Sequence, residues 1–165
     1  MNKLGRWTKT ERQLLLYEIL YLSHEVELPE LVKRLEVSKK TIQRDIVDLT
    51  DAGLVKFKYS KKYKAYQKQE AIGVISIAKG TRRYMHLSRL KRLATFMEEL
   101  SDFTEEYILE YNCKKRYFEL FPEISERTRM RDYKILSNIG YFIRWDEVER
   151  RHYVKGHLHQ IREEF

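Results

Sequence analysis

Apolar residues recur at helical spacing along the first third of the chain. From Glu11 to Leu22, Leu14, Leu15, Ile19, Leu20 and Leu22 make a broad apolar face with Tyr17 at its margin, and Thr8 or Thr10 can cap the start. A polar break follows at Ser23–Glu27. The period resumes over Leu28–Leu35, with Leu31, Val32 and Leu35 inward and Pro29 in the first turn, where its missing N–H costs nothing. Glu36-Val37 makes a tight turn. The third stretch, Ser38–Gly53, reads SKKTIQRDIVDLTDAG. Ser38 can accept from the open backbone N–H groups of the first turn, and Ile42, Ile46 and Leu49 share one face. Gly53 stands just past the last apolar position, where a left-handed helix end favours glycine. Lys39, Lys40, Gln43 and Arg44 lie opposite the apolar stripe.

At Leu54 the period changes from helical to alternating. Leu54–Tyr59 alternates apolar and basic residues, Ser60-Lys61-Lys62 turns, and Tyr63–Gln67 returns, which predicts a hairpin. Three helices, the last two joined by a short turn, predict a helix-turn-helix, and the hairpin would be its wing. The hairpin carries Lys56, Lys58, Lys61, Lys62 and Lys64, interleaved with Tyr59, Tyr63 and Tyr66. Two readings stand for each feature. The polar face of the third helix is either a solvated surface or a major-groove reader. The lysines either keep an edge hairpin soluble or meet phosphates.

The same block recurs 87 residues later as SERTRMRDYKILSNIG, Ser125–Gly140. The identical pairs are Ser38/Ser125, Thr41/Thr128, Arg44/Arg131, Asp45/Asp132, Leu49/Leu136 and Gly53/Gly140. A second hairpin-like run, Tyr141–Lys155, follows it, so the block and its sequel together read as an internal duplication. Arg129 stands where the first copy has Ile42, and Met130 or Tyr133 is expected to fill that space. Between the copies, Ala71–Ala78 is β-rich, Lys79–Arg83 is a basic turn, and Leu87–Leu100 is periodic enough for a helix. Thr104–Asn112 and Lys114–Phe121 read as further helical pieces, the latter ended by Pro122. The expected organisation is a first winged helix-turn-helix over 1–70, a β-rich, basic connector over 71–86, and a second winged helix-turn-helix over 87–165. The expected fold class is mainly α with small β-hairpin wings (α+β).

Charge narrows the choice of partner. The chain has 165 residues, net charge +8 and a pI near 9.4, which points to a polyanion, nucleic acid before membrane. Residues 1–70 carry 15 basic and 10 acidic side chains, residues 71–101 six and two, and residues 102–165 twelve and thirteen. The field therefore sits on the first copy and the connector. Cys113 is the single cysteine, so no internal disulfide forms and a reducing cytoplasm is expected. Glu18 interrupts the N-terminal apolar run, no small-residue cleavage site follows, and no stretch is long and apolar enough to span a membrane. No Gly-rich phosphate loop is present. His152, His157 and His159 cluster without matching cysteines or carboxylates, so neither a metal nor a cofactor is expected, and no enzymatic activity.

The order helix, helix, then Val37–Gly53 and Leu54-Val55 and a basic hairpin resembles the winged helix-turn-helix of DeoR-type bacterial transcription regulators, over about Glu11–Gln67. The resemblance implies a third helix in the major groove and a wing on the backbone. It places Ser38, Lys39, Lys40, Thr41, Gln43 and Arg44 against DNA, and gives Asp45 the task of orienting Arg44 or another basic side chain. The wing contacts would be Lys56, Lys58, Lys61, Lys62 and Lys64. In the second copy the corresponding set is Ser125, Arg127, Thr128, Arg129, Arg131 and Lys134. The resulting expectation is a cytoplasmic, sequence-specific regulator that binds double-stranded DNA, as a homodimer, with no small-molecule ligand indicated. Two other readings remain: a mobile-element replication initiator on repeated origin sites, and a winged-helix protein–protein adaptor, which suits the net −1 of the last segment.

Overall fold

A computed structural model describes residues 7–101 and 112–154. The chain forms two compact units that divide inside one helix, between Ala94 and Thr95. Mainly helical, with small antiparallel strand pairs, it has the α+β composition of a winged helix.

In the first unit, α1 (Lys9–Leu22) starts at Thr8 with reciprocal capping: Glu11 N–H donates to Thr8 Oγ1 at 3.2 Å, and Thr8 N–H donates to the Glu11 carboxylate at 3.0 Å. The two-residue strand β1 (Glu25–Val26) lies in the stretch expected to be only a polar break. Then come α2 (Leu28–Leu35), with Pro29 in its first turn as expected, and Glu36 in a left-handed turn. Ser38 caps α3 (Lys39–Asp51). Strands β2 (Lys56–Ser60) and β3 (Ala65–Gln69) form the hairpin, and β1 adds to its other edge in the order β1-β3-β2. Glu25 pairs with Gln67 and Val26 with Tyr66, so the start of α2 is tied to the hairpin. Leu14, Leu16, Leu20, Leu31, Leu35, Ile42, Ile46, Leu49, Val55 and Ala65 are buried and form the core.

Residues 71–81 form no strand, contrary to the β-rich reading of the connector. Their place is taken by a strap laid over the end of α3. Gly73 N–H donates to Gly53 O at 3.1 Å, and Ser76 N–H to Asp51 O at 2.9 Å. The strap fits because Gly53 lacks a Cβ: one built there would lie 2.4 Å from the Val74 carbonyl oxygen. β3, the strand they follow, is paired on both edges by β1 and β2, and these residues place backbone hydrogen bonds on a helix end instead. The next helix, α4 (Arg82–Ser101), begins five residues before the expected Leu87.

The second unit takes Phe96, Met97 and Leu100 from the end of α4, then α5 (Cys113–Leu120), α6 (Glu126–Asn138), β4 (Ile143–Asp146) and β5 (Arg151–Val154). Its core is aromatic: the Tyr117 ring lies 5.2 Å from Phe96, 5.1 Å from Phe121 and 5.9 Å from Tyr133. Cys113 is buried there, and burial pushes its thiol up to about 12, which leaves it unreactive near neutral pH. The expected helix at Thr104–Asn112 (residues 104–111), Lys155, His157 and His159 lie outside the described residues.

Candidate nucleic-acid interface

The polar face of α3 is defined by what its acidic residues do. Asp45, Asp48 and Asp51 recur at three-residue spacing, so they lie together along one flank of the helix. Asp45 is 1% exposed and accepts from Arg12 Nε at 2.6 Å and Nη2 at 3.1 Å, and from Gln13 Nε2 at 3.0 Å. Asp48 accepts from Gln13 at 2.8 Å, Lys9 at 2.8 Å and Arg83 at 3.0 Å. Arg83 also reaches Asp51 at 2.5 Å. Burial alone would raise the Asp48 carboxyl, but hydrogen bonds from Lys9, Arg83 and Gln13, with the charge of Lys9, hold it below the usual range. His86 closes the cluster at 2.7 Å from Gln13 Oε1, and burial together with the nearby Lys9 charge depresses its pKa. Every carboxylate on α3 is thus turned to α1 or the start of α4 and matched with a cation.

The opposite face is left cationic. Ser38, Lys39, Lys40, Gln43 and Arg44 are exposed and Thr41 is half-buried. Among the described residues, Lys39, Lys40, Gln43 and Arg44 make no side-chain hydrogen bond or ion pair. Asp45 therefore orients Arg12 on α1 rather than Arg44. The Ser38 cap is geometric as well as chemical: Thr41 N–H donates to Ser38 Oγ at 3.2 Å, and the two hydroxyl oxygens are 3.0 Å apart.

On the wing, all five named lysines are exposed. The pairing Lys58↔Gln67 and Lys56↔Gln69 puts Lys56 and Lys58 on one sheet face, while Phe57 and Tyr59 take the other. Lys61, Lys62 and Lys64 sit in the loop, where Lys64 has φ 52° and Lys62 lies over the Tyr63 ring at 5.1 Å. Tyr59 and Tyr66 meet edge to face at 5.1 Å.

In the second unit, Ser125 caps α6 as Ser38 caps α3, with Thr128 N–H donating to Ser125 Oγ at 3.3 Å. Ser125, Arg127, Arg131 and Lys134 are exposed and Thr128 is half-buried. Arg129 departs from the expected set. It is 3% exposed, its guanidinium is held by Glu126 through Nε at 3.1 Å and through Nη2, and it lies over the Tyr133 ring at 4.5 Å. The Arg129 hydrogen bond, with the guanidinium charge, draws the Glu126 carboxyl down to about 2. Arg129 thus occupies the core slot of Ile42 and faces no partner outside. Met130, expected to help fill that slot, is 61% exposed. Asp132, the counterpart of Asp45, accepts from Tyr117 Oη at 2.6 Å.

Several residues that shape the site were not singled out from the sequence: Lys9, Arg12, Gln13, Arg83 and His86. A signal existed in Gln13, a polar residue placed directly before the apolar run of α1 and 0% exposed. Among the described residues, no group of three His, Cys, Asp or Glu side chains is placed to hold a metal.

Residues 12–67 match the family model described as an HTH domain. The match runs from α1 through α3 to the second strand of the wing, so this region carries a helix-turn-helix domain and DNA binding is the general role it supports. No curated protein and no solved structure matches the chain. No helix among the described residues is long and apolar enough to cross a membrane.

Proposed function

We propose that the chain is a sequence-specific, double-stranded-DNA-binding transcription regulator of the DeoR type, with a winged helix in each unit. The observation that carries this reading is the composition of the exposed α3 face: two lysines, an arginine and a glutamine with no internal partner, on a helix whose three aspartates are all neutralised on the other side. A solvated surface needs no such segregation. Phosphates attract the lysines, and the arginine fork and glutamine amide match guanine and adenine edges. The wing supplies further phosphate contacts through Lys61, Lys62 and Lys64.

The second winged helix is supported by geometry that repeats at the 87-residue offset. Both α3 and α6 start one residue after a capping serine, and both end at a glycine with positive φ, +76° at Gly53 and +107° at Gly140. Past the glycine, Leu54 N–H returns to Leu49 O at 3.1 Å and Tyr141 N–H to Leu136 O at 2.9 Å. Both hairpins close through four residues whose last has φ near 50°, Lys64 and Arg150. The test is Arg44→Ala, titrated against a selected duplex and a random one. A loss of ~1–3 kcal/mol on the selected duplex alone makes Arg44 a base reader. Equal loss on both makes it a phosphate contact, and no loss on either removes α3 from the interface.

A further inference from the structure

We infer that the two capped helices read two different half-sites that share a guanine and differ in where a thymine stands, with Val47 and Met130 as the thymine-reading side chains. This rests on the tandem reading above and adds the residues that set its specificity. The repeated cap, length and exit geometry of α3 and α6 means that a residue and its counterpart 87 positions on occupy the same height and direction on their helices. The buried sets agree at four positions, Ile42, Asp45, Ile46 and Leu49 in one and Arg129, Asp132, Tyr133 and Leu136 in the other, and differ at one, where buried Asp48 corresponds to half-buried Ile135. The exposed sets can then be compared position by position.

Lys40 faces Arg127 in this comparison, and Arg44 faces Arg131, so both helices offer a cation and the same arginine fork. Three other exposed positions differ. Lys39 corresponds to Glu126, which is paired with Lys114 and Arg129. Gln43 corresponds to Met130, and Val47 to Lys134. Val47 is 53% exposed and Met130 61% exposed. Each is the single apolar side chain on an otherwise charged or amide face. Isolated exposed apolar residues are ordinary on a surface. Here both fall on the face that would enter the major groove, and the apolar feature there is the thymine C5-methyl group. Where Gln43 pairs an adenine, Met130 packs on a thymine, so that base pair is inverted between the half-sites. Val47 reads its thymine about one helical turn farther along α3, about 6 Å.

The experiment is selection from a random duplex pool with the full-length chain and with Met130→Gln, Val47→Lys and Gln43→Met. The wild-type chain should enrich two non-identical half-sites sharing a guanine. Met130→Gln should replace thymine by adenine in one half-site, changing the ratio at that position by at least about fivefold, as for a bidentate amide pair. Val47→Lys should lose about fourfold of the thymine preference in the other half, the value of one buried methyl. Gln43→Met should make the first half-site resemble the second. An enriched site that ignores Met130→Gln and Val47→Lys but depends on Gln43 overturns the inference and leaves DNA reading by α3 standing. No enrichment by the wild-type chain overturns the DNA-reading proposal itself, and the inference with it. All three side chains are exposed, so the variants keep the fold, which a thermal melt checks.

Discussion

Removing the Arg12 guanidinium should unlock α3 from α1. Asp45 is almost fully buried, and two of its three donors, including the closest at 2.6 Å, belong to Arg12, whose side chain is itself only 15% exposed. In Arg12→Ala the carboxylate keeps one donor, Gln13 at 3.0 Å. Breaking a buried pair from one side costs about 3–5 kcal/mol. The surviving amide places this case at the lower end, ~3 kcal/mol, a large part of the roughly 5–15 kcal/mol that holds a domain folded. For a unit of this size that corresponds to a fall in Tm of roughly 12 °C or more. The assay is urea unfolding followed by fluorescence of Trp7, in a Trp145→Phe background so that only the first unit reports. The control is Arg34→Ala. Arg34 meets Glu30 at 3.9 Å with both side chains at least half exposed, so its loss costs no more than ~1 kcal/mol. If Arg12→Ala costs no more than Arg34→Ala, the buried clamp on α3 is wrong, and so is the account of how its face is kept cationic.

Arg129→Leu should fold at least as well as the parent, because an apolar side chain in that slot is what Ile42 supplies in the first unit, and buried pairs replaced by apolar residues are often neutral or stabilising. DNA affinity should be unchanged; a folded Arg129→Leu that loses binding would make Arg129 a DNA contact. Gly53→Ala should destabilise by clearly more than the ~1–2 kcal/mol of a left-handed alanine, whereas Gly73→Ala, at a similar φ of +78° but with nothing within 4 Å of the new Cβ, should cost only that amount; equal melting temperatures would disprove the strap. Asp48 should contribute to acid stability with a defined sign. Its folded pKa lies below 3.8, so the carboxylate stabilises fully above that value, and the contribution is lost as pH falls from 3.8 through the folded pKa. Asp48→Asn should therefore flatten the urea midpoint against pH below about 4, and an unaltered slope would contradict the Lys9 and Arg83 contacts.

Where structure follows from neighbours in sequence, the chain was readable. Leu28–Leu35 came out with its limits because Pro29 and the leucine period are local, and the Ser38 and Ser125 caps because a serine hydroxyl and a backbone N–H three residues on need nothing else. The first hairpin followed from alternation, and the second from the repeat of the block that precedes it. What escaped depends on distant partners. Glu25–Val26 is too short to show a period and exists as a strand only because β3 lies beside it. Arg82–His86 lacks apolar spacing, and α4 starts there with Arg83 paired to Asp48 and Asp51 on another helix. Ala71–Ala78 has strand-like composition, yet the open backbone at Gly53 and Asp51 captured it. Of the site residues, the exposed face of α3 was readable from the stripe opposite it. Arg129 was not, since a charged residue beside a helical stripe looks exposed until Glu126 and Tyr133 are seen to receive it.

The most direct test of the central claim is fluorescence anisotropy of a labelled random duplex at low and then moderate salt, with the wild-type chain and with Lys39, Lys40 and Arg44 changed together to alanine. The account predicts binding in roughly the micromolar range that weakens steeply with salt, and a triple variant that binds far more weakly with a slope shallower by up to about three phosphate contacts, ~0.9 units each. No binding at low salt, or a triple variant that binds as well as the parent with the same slope, would contradict it.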